Sequence, residues 1–249
     1  MPKVTLEEVN ALNPWFAPVN ISGIAITTGV GSTWSHTDLA ARHAYREALL
    51  VTAVAKRYNL KNKAVLDLGC NCGYWSAKYV QQGAINVVGV EGRENTVKQA
   101  ELYWKANEFL PAQNYRFLLG DVTKESIWRD INLLGPFDLT LCAGLLYHIP
   151  NYKWVLQKIK MCTRDIVVID TRVVHTSETA VAEKKDLHFN GVDVVTPKIV
   201  PNLENLTKAI LATGFHPQVV PAPGPVPHGL AGPDDYVKKN RVTIIAKRA

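Results

Sequence analysis

The stretch from Ala64 to Ser76, Ala-Val-Leu-Asp-Leu-Gly-Cys-Asn-Cys-Gly-Tyr-Trp-Ser, constrains this chain more than any other. An apolar run (Val65, Leu66, Leu68) reads as a buried strand, interrupted by the acid Asp67 near its end. The chain then turns through Gly69, Asn71 and Gly73, and an amphipathic helix is predicted from Tyr74. Glycine tolerates positive φ, and asparagine is among the few other residues that do. A strand, a tight turn and a helix in that order describe the first unit of an open α/β sheet. There the turn lies at the carboxyl end of the strand, where ligands bind, and backbone N–H groups at the helix terminus face them.

Two ligands use such a turn. A dinucleotide fingerprint counted from Gly69 requires glycine at positions 71 and 74, which are Asn71 and Tyr74 here. A side chain at the second glycine position keeps the backbone away from a pyrophosphate. Asp67 points the same way, since a carboxylate repels a diphosphate but suits an ammonium group. S-adenosylmethionine, with its methionyl ammonium, is the expected ligand.

On these residues the sequence resembles the class I S-adenosylmethionine-dependent methyltransferases, well over 64–169 and less well in the flanks. The glycine-rich motif stands as Asp67-Leu-Gly-Cys-Asn-Cys-Gly73 and the ribose-binding acid as Glu91, followed by Gly92. The adenine-side acid stands as Asp121, followed by Val122. The fourth-strand motif runs from Phe137 through Ala143 and Gly-Leu-Leu-Tyr147-His148 to Asn151. That last run also resembles the subgroup containing the tRNA wobble-uridine carboxymethyltransferases. The resemblance implies a Rossmann-like fold: a mostly parallel seven-stranded sheet with helices on both faces. It places Asp67, Gly69, Asn71, Gly73, Glu91, Gly92, Asp121, Val122 and Ala143 around the cofactor.

Spacing supports parts of this independently. Glu91 follows Gly69 by roughly 20 residues, the separation at which an acid meets a ribose hydroxyl. Asp121 can accept from an adenine amine, or it can cap the short segment that follows. Strands are predicted at 64–68, 86–91, 115–119, 137–142, 166–171, 215–220 and 241–246. Helices are predicted at 37–58, 74–82, 95–107, 152–162 and 203–213. Residues 1–36 read as irregular, 172–200 as an insertion without clear periodicity, and the proline-rich 221–233 as a surface loop. We expect residues 1–60 to form an arm and helix covering the site, and 61–249 the cofactor-binding catalytic domain, in one structural domain overall.

A chain of 249 residues, 47% hydrophobic and 20% charged, has a core of ordinary size. Its net charge of +6 is dispersed, which permits an anionic partner without demanding nucleic acid. No basic segment followed by a long apolar run opens the sequence, and no apolar stretch is long enough to span a bilayer, so the expected location is cytoplasmic. Cys70 and Cys72 lie inside the cofactor turn with no second pair at zinc spacing, so no metal is expected.

Methyl transfer from a sulfonium is an in-line displacement, and the protein must chiefly hold nucleophile and methyl in line. A base is needed only if the nucleophile loses a proton. His148, at the end of the fourth strand, is the best candidate, with Tyr147 beside it lining the site. Trp34 in the arm, and Asp170, Arg172 and His175 after the fifth strand, are weaker candidates for the acceptor pocket. Arg42 and Arg46 share a helix face; solvated charges are the preferred reading, over contact with a cofactor carboxylate or an anionic substrate. A small-molecule acceptor, methylated on oxygen or nitrogen, is the favoured partner. The larger members of the carboxymethylating subgroup carry an extra N-terminal region not seen here, and no basic stripe interleaved with aromatics replaces it. An RNA-modifying enzyme is therefore the alternative, and a non-catalytic cofactor-binding scaffold a third.

Overall fold

The computed structural model describes residues 4–26, 38–107, 115–176, 179–182, 186–189, 192–194, 197–226 and 233–249. The seven predicted strands all form: β1 (Ala64–Leu68), β2 (Asn86–Glu91), β3 (Tyr115–Leu119), β4 (Phe137–Ala143), β5 (Thr163–Arg172), β6 (Phe215–Val220) and β7 (Arg241–Arg248). They join in one sheet of order β6-β7-β5-β4-β1-β2-β3. Strands β3, β2, β1, β4 and β5 run parallel, and β7 inserts antiparallel between β5 and β6. The chain leaves β1 for β2 on one side and later returns to β4 on the other. The crevice at this switch point opens beyond the carboxyl ends of the strands.

Apolar residues on both faces explain why β1 reads as a continuous run rather than an alternation. One face packs Val65, Leu139, Leu141 and Val168 against a helix begun at Leu39–Glu47 and continued to Ala55 (α2), against Tyr74–Gln81 (α3) and against Glu94–Lys105 (α4). The other packs Leu66, Leu68, Val88 and Ile169 against Glu125–Leu134 (α5), Tyr152–Cys162 (α6) and Leu203–Leu211 (α7). Helix α2 starts at an Asp38 cap and widens to π-type winding over Ala48–Thr52.

Three stretches differ from expectation. The arm is not wholly irregular: Leu6–Ala11 is helical (α1), with a capping box between Thr5 and Glu8. Trp15 is fully buried and donates to the Val9 carbonyl at 3.0 Å, so the arm shares the main core. The segment after Asp121 is the full helix α5, whose apolar stripe Ile127, Trp128, Ile131 carried the missed signal. Within 172–200, Thr179–Ala182 pairs with Pro197–Val200 and Asp186–Phe189 with Val192–Val194, both antiparallel. Among the described residues no helix is long and apolar enough to cross a membrane.

Candidate active site

The turn after β1 adopts the predicted backbone, with φ of +69° at Gly69, +53° at Asn71 and +72° at Gly73. The two glycines serve different ends. Gly69 lines a cavity of about 820 Å³ together with Cys70 and Asn71. Gly73 does not line it: a Cβ there would stand 2.6 Å from the Trp104 ring nitrogen and 2.9 Å from Phe117, so its absence lets α4 and β3 close under the turn.

Glu91 and Gly92 border the same cavity, as do Asp121, Val122, Ala143, Tyr147 and His148. Glu91 accepts from the Asn71 N–H at 3.1 Å, from the Arg93 N–H at 3.1 Å and from Arg93 Nε at 2.9 Å, which fixes its carboxylate across the turn. Asp121 uses Oδ1 to hold the Thr123 N–H and hydroxyl, at 2.8 and 2.7 Å, and so steadies the loop rather than capping α5, which begins after Lys124. Oδ2 is the oxygen left for a ligand. Tyr147 and His148 lie in a short 3-10 turn, Leu146–His148, with ring centres 4.2 Å apart.

The remaining candidates stand elsewhere. Asp67 is 1% exposed and accepts from Ser76 Oγ at 2.6 Å, behind the turn rather than in the cavity wall. Its side chain lies on the β1 face that α3 covers, beneath Ser76. Asp170 is fully buried behind the wall. Arg172 is not in the cavity wall but lies beside it, its guanidinium 5.6 Å from the Tyr147 ring centre and 3.9 Å from Asp235, and the imidazole Nε2 of His175 is 2.8 Å from the Lys239 carbonyl. Trp34 lies outside the described residues.

Arginines rather than Asp170 itself face the cavity. Arg42, Arg46 and Arg241 line it, with Trp75, His43 and, from the arm, Phe16 and Ala17. Asp170 Oδ1 accepts from Arg46 Nη2 at 2.9 Å and Arg241 Nη1 at 2.5 Å. Its Oδ2 accepts from the Tyr236 hydroxyl at 2.6 Å and Thr243 Oγ1 at 2.9 Å. The preference for solvated arginines on α2 fails at Arg46, whose side chain is 11% exposed. The counter-charge that draws it inward stands over a hundred residues away in sequence. Arg241 opens the last strand with no local motif to mark it; pairing with Arg172 in the antiparallel register brings it to the site. Only the Glu-x-Arg spacing could have pointed to Arg93.

Burial works in opposite directions on two groups. It pushes the Asp67 carboxyl up to about 7, with the Ser76 hydrogen bond opposing and the Glu91 charge adding. It pushes the His43 imidazole down to about 3, helped by Arg46 and Arg42, so the ring is neutral. The stability that neutral Asp67 contributes is complete below about pH 4 and lost as pH rises through 7. That from His43 is complete above about 6.5 and lost as pH falls towards 3. The two slopes oppose each other between pH 4 and 6.5. Asp67→Asn should therefore gain on the wild type by about 1.4 kcal/mol per pH unit in the window from 4 to 7, measured by urea unfolding across pH. A difference independent of pH would mean that Asp67 is charged in the fold.

The sheet order, the turn and the cavity at the switch point are those of the class I S-adenosylmethionine-dependent methyltransferase fold, and the residues present fit that cofactor: a turn open to backbone approach, with Glu91 and Asp121, whose Oδ2 is uncommitted, on the cavity wall. Residues 59–212 match the family described as "Methyltransferase domain", and the chain belongs to that family. A tRNA U34 carboxymethyltransferase of Alteromonas mediterranea is 29% identical over 211 residues, covering 81% of this chain and 55% of that protein. One from Helicobacter acinonychis is 31% identical over 59% of this chain and 48% of its own length. The chain thus spans about half the length of these curated relatives. Among solved structures, the N-terminal domain of EvdMO1 with SAH bound aligns at TM-score 0.65 and 19% identity, covering 98% of this chain and 95% of that one. A Listeria monocytogenes chain described as a putative S-adenosylmethionine dependent methyltransferase aligns at TM-score 0.62 and 17% identity, covering 83% and 99%. These two likenesses establish the fold.

Proposed function

We propose that the chain transfers a methyl group from S-adenosylmethionine to an oxygen or nitrogen of a small-molecule acceptor. The observation that carries this reading is the cavity itself. Its volume of about 820 Å³ lies near the upper end of small-molecule sites, roughly 300–1,000 Å³, and leaves room for an acceptor beside the cofactor. Glu91 and Asp121 mark one end; Tyr147, His148, Trp75 and the arginines mark the other, and Phe16 and Ala17 of the arm cover the site.

Bound there, the cofactor supplies an electrophilic methyl on a sulfonium. The protein's own part is alignment and exclusion of water. Glu91 holds the ribose, Asp121 and Val122 the adenine, and the turn at Gly69–Asn71 receives the amino-acid end. His148 takes the acceptor's proton where the acceptor must lose one. Accordingly His148→Ala should lower turnover by roughly 10²–10⁴-fold while the affinity for S-adenosylhomocysteine changes by less than about threefold. Unaltered turnover removes His148 from the mechanism. Four buried free thiols, at 70, 72, 142 and 162, fit the cytoplasmic location we assign.

One observation favours a second reading, modification of tRNA: the relatives named tRNA U34 carboxymethyltransferase match much of the chain. Binding to bulk tRNA that falls steeply with salt, together with label transfer from methyl-labelled cofactor to tRNA, supports that reading over the first. Transfer to members of a phenol, amine and organic-acid panel, with none to tRNA, supports the first.

A further inference from the structure

His43 takes no part in the methyl-transfer scheme, yet it stands in the cavity wall beside Trp75 and is only 4% exposed. Its Nδ1 is 2.8 Å from the carbonyl of Leu39, one turn back along α2. A carbonyl oxygen only accepts, so Nδ1 carries the hydrogen and donates it. Burial, and after it the charge of Arg46, push the imidazole down to about 3, so the ring is neutral. In a neutral imidazole bonded in this way, Nε2 is left as an acceptor with a bare lone pair. It has no hydrogen-bond partner among the described residues. It is not sealed from solvent either, and the cavity that the ring lines is what it opens onto. The ring itself is held firmly. Trp75 stacks on it with ring centres 5.3 Å apart and 20° between the planes, and Tyr74 meets it edge-on at 5.0 Å and 78°. The bond to Leu39 fixes its rotation between them.

A buried acceptor left unpaired costs free energy, so a ligand that fills the cavity is selected for what it offers Nε2. A carboxylate or phosphate oxygen would meet it lone pair to lone pair. A cationic donor would bring into this poorly solvated wall the very charge that the imidazole is kept from carrying. A neutral hydroxyl or N–H meets both conditions. We propose that His43 Nε2 is the docking point for an uncharged hydroxyl or N–H of the acceptor, so that the acceptor is a small molecule bearing such a neutral donor. This rests on the methyl-transfer reading and names the acceptor class within it. His43 is then a specificity-determining residue. It orients the acceptor without taking its proton, which a ring so weakly basic does not keep, and the base remains His148.

The test uses the full chain saturated with S-adenosylhomocysteine, titrated calorimetrically with phenol, with aniline, with fluorobenzene (a similar ring with no donor) and with benzylammonium, a cationic donor. Phenol or aniline should bind saturably and about tenfold more tightly than fluorobenzene, and benzylammonium no better than fluorobenzene. In wild-type protein carrying nitrogen-15 histidine, one unprotonated ring nitrogen, absent from the His43→Asn spectrum, should move upfield as phenol is added. His43→Asn keeps an amide near the Nδ1 position and lacks Nε2. It should bring phenol down to the affinity of fluorobenzene, with fluorobenzene and S-adenosylhomocysteine each held within about threefold. His43→Gln, whose amide oxygen reaches the Nε2 position, should recover part of the difference. Equal affinities of the wild type for the neutral donors and fluorobenzene, binding of none of them, or a His43 resonance that stays in place overturns the proposal, whether or not the variants fold, and leaves the cofactor reading standing. Tighter binding of benzylammonium than of phenol assigns Nε2 to a cationic donor and also overturns it. If His43→Asn weakens S-adenosylhomocysteine by more than about threefold while phenol and fluorobenzene still differ, His43 serves the cofactor and the acceptor subsite falls. Failure of S-adenosylhomocysteine itself to bind the wild type overturns the methyl-transfer reading, and the acceptor assignment with it.

Discussion

Asp170→Ala is expected to destabilise the protein by about 3–5 kcal/mol, because it strips the counter-charge from two guanidinium groups buried with it. The carboxylate is fully buried and accepts four hydrogen bonds, from Arg46, Arg241, Tyr236 and Thr243. Burial alone would raise its pKa, yet Arg46 and Arg241 outweigh burial and hold it below the ordinary carboxylate range. The loss is a large share of a typical stability of about 5–15 kcal/mol. At about 2–4 °C per kcal/mol for a chain of this length, the melting temperature should fall by roughly 6–20 °C. Asp170→Asn, which keeps an acceptor but no charge, should fall between. Denaturant unfolding of the three proteins measures this. A loss below about 1 kcal/mol for the alanine variant would mean that the arginines reach water or another anion once Asp170 is gone.

Glu91→Ala is expected to weaken S-adenosylhomocysteine binding by roughly 10–150-fold, the equivalent of about 1.5–3 kcal/mol for charge-assisted hydrogen bonds. Two effects combine. The ribose loses an acceptor for its hydroxyls, and the Asn71 N–H loses the carboxylate that holds the αL turn at 3.1 Å. Arg93, which donates to the same carboxylate, is released as well. Glu91→Gln separates the effects: it retains an oxygen for the Asn71 N–H but carries no charge, and should lose less. Titration calorimetry on both variants checks the prediction, and an unchanged dissociation constant for Glu91→Ala refutes the ribose assignment.

The wall of the cavity beside β1 and β2 was readable in order along the chain because it is built from local pieces. Gly69, Asn71 and Glu91 belong to one β-α-β unit, where turn chemistry and strand spacing dictate placement. Asp67 belongs to the same unit yet is buried beneath α3, where Ser76 holds it, so motif membership did not settle its contact. The arginine wall of the cavity was not readable. Arg46 lies on a helix whose periodicity assigns it equally well to solvent, and Arg241 sits in a strand with no motif. Asp170 was placed near the site but with its role reversed, as an anchor for cations and not a lining group.

Seven strands and the tight turn followed from periodicity and glycine placement, because those signals act within a few residues of one another; the mostly parallel sheet was implied by the family resemblance. The pairing of Arg46 and Arg241 with Asp170, beside Arg42 on one cavity wall, was decided only when β7 inserted antiparallel beside β5 and α2 packed over the turn. Charges from three distant segments then came to share one poorly solvated wall, and Coulomb interaction through the fold's interior does not depend on their order in the chain.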